Sequence, residues 1–241
     1  MRPLLTTLFL LNVAVAHAAQ PAWTELLVSG EKSPWKKMDA GWIFATDAKL
    51  DSKNPKLLEA IDKGKGPVWI NGAKSLPDLI TKQDYKDCEV HVEFLVGKGS
   101  NAGIKFHAAY EIQIRDVMPK DGKLNGDMTG GIYPKAHYVE KKYVHIDEGI
   151  APKVHAAKPA GEWQSMDVVW RSPRFNDKGE KIKNGMVVKA TLNDKVIHEN
   201  QELQHPTGAN YVNKEKAAGP FMLQCDHGPV AWRNVKIREI E

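Results

Sequence analysis

The chain has 241 residues, 27% of them charged and 42% hydrophobic. That suffices for one large domain or two small ones, and no shift in composition marks a boundary. Its formal charge of +4 is spread over interspersed Lys and Glu without a basic block, so nothing in it argues for a nucleic-acid partner.

In chain order, Met1-Arg2, an apolar run from Pro3 to Ala16 and the small-x-small step Ala16-His17-Ala18 fit a secretory signal peptide. The run is short for a membrane span, and no later stretch approaches one. The expectation is an exported chain, periplasmic or extracellular, whose residues 19–241 form a single domain. From Trp23 to Gly72 the text is turn-rich. Gly41-Trp-Ile-Phe-Ala45 suggests a short strand, Pro55 to Lys63 a short helix ended by Gly64, and Gly66 to Gly72 another strand. Leu79 to Lys82 and Cys88 to Val96 read as strands, the second with Glu89, His91 and Glu93 on its polar face.

After a glycine-rich turn over residues 97–103 comes the stretch Gly103 to Asp116. At period two, Ile104, Phe106, Ala108, Tyr110, Ile112 and Ile114 share one side. Lys105, His107, Ala109, Glu111, Gln113 and Arg115 share the other. Because strand side chains alternate between faces, this is one long strand or a tight strand pair with one buried face. Its polar face sets a cation, an imidazole, a carboxylate, an amide and a guanidinium in a row, as a site for a polar ligand requires. The connection over residues 117–162 exceeds a plain hairpin loop, and long ordered connections often serve as lids or binding loops. Trp163 to Arg171 alternates again. Asn193-Asp194 between Gly185–Leu192 and Lys195–Glu199 is a two-residue hairpin signal. Phe221 to Cys225 and Val230 to Ile240 close the chain. Many short alternating strands with almost no helical periodicity mean an all-β, antiparallel β-sandwich or jelly roll. Cys88 and Cys225 each sit in phase with apolar neighbours, leaving open a disulfide or two buried thiols. No Cys/His zinc spacing occurs.

Several segments resemble the 3-keto-disaccharide hydrolase family. They are Leu79 to Phe94, Gly99-Ser-Asn-Ala-Gly-Ile-Lys-Phe106, Tyr110-Glu-Ile-Gln-Ile-Arg-Asp116, Thr129-Gly-Gly-Ile-Tyr133, Ala160-Gly-Glu-Trp-Gln164 and Leu223-Gln-Cys-Asp-His-Gly-Pro-Val-Ala-Trp-Arg-Asn-Val-Lys-Ile237. Ala102 and Gln164 depart from the family's Ser and Asn. The resemblance implies a concanavalin A-like lectin/glucanase jelly roll and cleavage of glycosides already oxidised at C3. It leaves room for a divalent metal ion, whose use varies within the family.

A C3 ketone acidifies the C2 hydrogen, so a base can remove it, the enolate can expel the C1 substituent, and water can add to the enone. Such a site needs a base, a positive group at the enolate oxygen and a proton for the leaving group. Glu111 or His107 is the candidate base, with Lys105 and Arg115 (or a metal) at the oxyanion and Gln113 holding hydroxyls. Asn101, His227, Tyr133 and Trp69 are further candidates for binding the sugar, and Tyr138 for stacking on it. His91 and Glu93 could lie beside this face. Trp163, Trp170 and Trp232 read as core. The order Glu111-x-Gln113-x-x-Asp116 resembles the acidic strand motif of jelly-roll glucanases but puts an amide at its centre. Ordinary retaining hydrolysis is therefore poorly equipped. The competing reading is a non-catalytic carbohydrate-binding jelly roll.

Overall fold

The structure, a computed structural model, describes residues 21–72, 75–118 and 121–241. The leader expected at residues 1–18 lies outside them. In chain order the strands are β1 (Thr24–Glu25), β2 (Ile43–Ala45), β3 (Asp47–Leu50), β4 (Leu58–Ile61), β5 (Val68–Ile70), β6 (Leu79–Tyr85), β7 (Cys88–Val96), β8 (Asn101–Phe106) and β9 (Tyr110–Arg115). They continue as β10 (Ala136–Val139), β11 (Lys142–His145), β12 (Gln164–Arg171), β13 (Arg174–Phe175), β14 (Lys181–Lys183), β15 (Gly185–Leu192), β16 (Lys195–Leu203), β17 (Gly219–His227) and β18 (Val230–Glu239).

Two antiparallel sheets make the sandwich. The larger runs β16-β15-β12-β7-β18-β5-β2, with β1 against β18, and the smaller runs β6-β17-β8-β9. Their inner faces meet in one core, where Phe106 of β8 stacks on Trp170 of β12 with ring centres 5.0 Å apart. Trp170 and Trp232 are buried as expected, and each such side chain contributes about 1.5–3 kcal/mol through burial. The result is an antiparallel β-sandwich of jelly-roll type.

The stretch 103–116 resolves as a strand pair. His107, Ala108 and Ala109 form the turn, with φ of 56° and 51° at the first two and a bond from Ala109 N–H to Phe106 C=O. Three turn residues preserve the alternation, so Lys105 lies directly opposite Glu111. Asn193 and Asp194 take φ of 49° and 65°, the two left-handed residues that a type I′ turn between β15 and β16 requires.

One expected element is absent. Residues 55–63 hold β4, which pairs with β3 in the register Lys49↔Glu59 and Leu50↔Leu58, and no helix. Nine residues are too few to stabilise a helix by propensity. The Asp51 carboxylate instead accepts the Lys53 and Asn54 N–H groups at 2.8 Å each, fixing a turn that starts a hairpin. Cys88 and Cys225 are buried free thiols, each pushed up in pKa by that burial.

Candidate functional site

The outward face of the smaller sheet is the floor of a cleft of about 630 Å³. Across β8 and β9 the pairs Lys105↔Glu111, Gly103↔Gln113 and Asn101↔Arg115 face outward together. Strand β17 adds Gln224 opposite Gly103 and, beyond a register shift, His227 opposite Asn101.

The long connections supply walls. Residues 130–133 run along β9, with Gln113 N–H bonded to Gly131 C=O, Gly130 N–H to Gln113 C=O and Tyr133 N–H to Glu111 C=O. The β10–β11 hairpin then presents Tyr138, Tyr143 and His145 to the cleft. From the other connection, Thr207 Oγ1 accepts the Glu111 N–H at 3.0 Å and donates to Ala109 C=O, pinning that loop beside the floor. At Gly208 (φ 56°) a Cβ would come within 2.9 Å of the Tyr143 hydroxyl, so glycine lets the wall close.

These walls leave Glu111 only 4% exposed. Its carboxylate meets Lys105 Nζ at 3.2 Å. Burial raises the Glu111 pKa above the ordinary carboxylate range, and the Lys105 ammonium opposes part of that rise. A Cβ at Gly103 would collide with Glu111 Oε1, so the missing side chain on β8 is what gives the carboxylate its place. Gln113 donates to Asp127 Oδ1 at 3.0 Å and accepts Ile114 N–H, while Arg115 is ion-paired to Asp127. The Tyr133 hydroxyl lies 3.0 Å from His145 Nε2. Burial raises the pKa of both Tyr133 and Tyr143, so each keeps its proton. Tyr138, 70% exposed, meets Tyr143 edge-on at 5.2 Å.

Of the residues singled out in the sequence, Lys105, Glu111, Gln113, Arg115, Asn101, Tyr133, His227 and Tyr138 line this one cleft. His107 does not. The turn carries its ring away from Glu111, to an Nε2 contact of 2.9 Å with Ser172 Oγ and edge-on packing against Trp170. Period-two reasoning fails there because the strand has ended and the backbone is left-handed. Trp69 is also misplaced by the sequence reading. It is 2% exposed on β5 of the other sheet, packed against Trp42 and Phe44, and does not line this cleft. His91 and Glu93 sit on the outward face of the larger sheet, paired with Asp167 and Arg233. Trp163 is half-buried rather than core, with Arg233 stacked 4.1 Å from its ring centre.

Tyr143, His145, Asp127 and Gln224 were not singled out as site residues. The alternation Tyr143-Val144-His145 and the outward phase of Gln224 on β17 were the available signals. A divalent ion does not fit the residues present. Among the described residues no three of His, Cys, Asp and Glu converge, and Lys105 already faces the one deeply buried carboxylate of the cleft.

Residues 23–238 match the family described as a 3-keto-alpha-glucoside-1,2-lyase-like domain. A candidate glycosyl hydrolase from Parabacteroides distasonis superposes with a TM-score of 0.54 at 24% identity, over 70% of this chain and 72% of that one. A second from the same organism gives 0.50 at 16% identity, over 83% and 89%. At these identities the likeness is one of fold. No curated protein matches the chain.

Proposed function

Because this chain belongs to the 3-keto-α-glucoside-1,2-lyase-like family, and is therefore carbohydrate-active, we propose that it cleaves 3-keto-glycosides by elimination followed by hydration. The observation that carries this reading is the Glu111–Lys105 pair, a buried carboxylate of raised pKa held 3.2 Å from an ammonium. A raised carboxylate is the stronger base, and it is poised closer to neutral pH.

In this mechanism Glu111 takes the C2 proton, the C–H electrons form C2=C3, and the C3 oxygen becomes an enolate facing Lys105. The fixed ammonium stabilises that charge as it develops. When C3=O re-forms, the electron pair moves to C1=C2 and the C1–O bond breaks. Tyr133, backed by His145, gives its proton to the departing oxygen. Water then enters and adds at C1, yielding a proton to Tyr133, and Glu111, its proton exchanged with that solvent once the leaving group has gone, protonates C2. Every bond made and broken balances, and the groups end as they began.

The carboxylates also weigh against ordinary glycosidase chemistry, which uses two acids across the scissile bond. Asp116 accepts the Gly99 N–H at 2.9 Å and does not line the cleft. Asp127 does line it but is held by Arg115 and Gln113. The test is release of free sugar from a 3-keto-disaccharide by the purified protein, set against the unoxidised disaccharide. Release from the oxidised sugar alone supports the reading. No release, or equal release from both, contradicts it.

A further inference from the structure

Two acceptors in the cleft floor have no use within the protein. Asn101 Oδ1 and Gln224 Oε1 are buried without a hydrogen-bond partner, and both residues line the cleft. Their neighbour Gln113 differs, since its amide donates to Asp127 and accepts the Ile114 N–H. A buried acceptor left unpaired is costly, so a site containing two of them is built for incoming donors.

Register places them. Gln224 sits opposite Gly103, and Asn101 lies two residues before Gly103 on the same face of β8. The absent side chain at Gly103 lets the Glu111 carboxylate reach over β8 towards these amides. Within the sheet order β6-β17-β8-β9, Gln224 lies across β8 from Glu111, and Asn101 lies further along β8 from Lys105. Tyr133, Tyr138, Tyr143 and His145 lie beyond β9 on the other side, since Ile132 bridges Ile112.

We propose that Gln224 and Asn101 form a subsite that accepts the C4 and C6 hydroxyls, respectively, of a neutral hexose, and so select a terminal sugar with a free C4 hydroxyl. This deepens the proposed function and rests on it for orientation. With C2 over Glu111, the C3 oxygen at Lys105 and C1 towards Tyr133, the C4–C6 edge of the ring falls over the two amides. Neutral acceptors suit hydroxyl donors. An internal residue of a 1→4-linked chain has no C4 donor to offer.

The test is calorimetric binding of methyl α-glucoside and its 4-deoxy analogue to the wild-type protein and to Gln224→Met, with turnover of the matching 3-keto-glucosides in parallel. Thermal unfolding checks that the variant folds, and Gln224→Glu serves as a second variant that keeps an acceptor. The wild type is expected to bind the 4-deoxy sugar on the order of tenfold to a hundredfold more weakly. Gln224→Met removes that discrimination, and Gln224→Glu retains it. Equal wild-type affinity for the two sugars overturns the subsite, as does a Gln224→Met variant that weakens both equally. If discrimination is present but no 3-keto-glucoside turns over, the subsite stands and the catalytic reading falls.

Discussion

On β7, Glu89, His91 and Glu93 alternate with the buried Val90, Val92 and Phe94; on β9, Glu111, Gln113 and Arg115 alternate with the buried Ile112 and Ile114. Written as text the two strands are nearly equivalent. In space, the β7 groups stay half-buried and paired across neighbouring strands. Glu89 meets Arg238 and Glu93 meets Arg233 at 2.6 Å, and His91 meets Asp167 at 2.7 Å. Only Trp163 and Trp23 are seen to lie against this face among the described residues, at the rings' contacts with Arg233 and Arg238. The β9 face is walled by two long connections, which remove water from Glu111 and leave acceptors unpaired around it. Alternation specifies a face, and a wall over that face turns it into a site.

The sharpest way to break the comparison is to neutralise one carboxylate on each face. Glu111→Gln is expected to lower kcat for a 3-keto-disaccharide by about 10²–10⁴-fold, the range for losing a general base. Glu93→Gln should leave turnover unchanged. Equal losses would mean that the two faces are not functionally distinct.

Lys105→Met comes next. Loss of the enolate partner should cost about 10²–10³-fold in kcat. Because the ammonium holds the Glu111 pKa down, the acid limb of the kcat/KM profile should also move to higher pH. An unmoved limb would detach Glu111 from the profile. Gly103→Ala adds one methyl where Glu111 Oε1 sits, and displacing the base is expected to lower kcat by about 10²-fold, measured beside a thermal unfolding control.

Stability should also follow the charge of Glu111. Its folded pKa lies above the unfolded value, so the folded state binds that proton more tightly. The resulting stabilisation is full below the unfolded pKa, about 4.3, and is lost as pH rises through the raised folded value. Denaturant titrations across that window should show wild type losing stability relative to Glu111→Gln as pH increases. The smallest effects belong to Tyr138 and Glu93. Tyr138→Ala should raise KM by about tenfold or less with little change in kcat, the worth of one aromatic contact. Glu93→Gln should cost roughly 0–1 kcal/mol of stability, as surface ion pairs do.

Much of the fold could be read at period two, because strands with one buried face write their burial directly into alternation. The β15–β16 turn was equally legible, since Asn193-Asp194 tolerates the left-handed pair it needs. The β3–β4 hairpin was not, because nine residues with mixed propensity took their structure from cross-strand pairing and the Asp51 turn. For the site, the floor was legible and the walls were not. Glu111, Lys105, Gln113 and Arg115 come from one local hairpin, whereas Tyr143, His145 and Gln224 arrive from distant segments whose approach no local pattern encodes. His107 shows the converse error. Its phase was right for a strand, but three turn residues intervened and aimed it at Ser172. Trp69 went to the core because an aromatic on a short inner strand is worth more in burial than in binding.

The central claim is that Glu111 removes the proton at C2 before the glycosidic bond breaks. The direct measurement is turnover of a 3-keto-disaccharide in D₂O, with the deuterium content at C2 of the released 3-keto sugar compared with an enzyme-free control. The account predicts product carrying deuterium at C2, and no such product above the control with Glu111→Gln. Rapid release of a sugar that retains its original C2 hydrogen would contradict it.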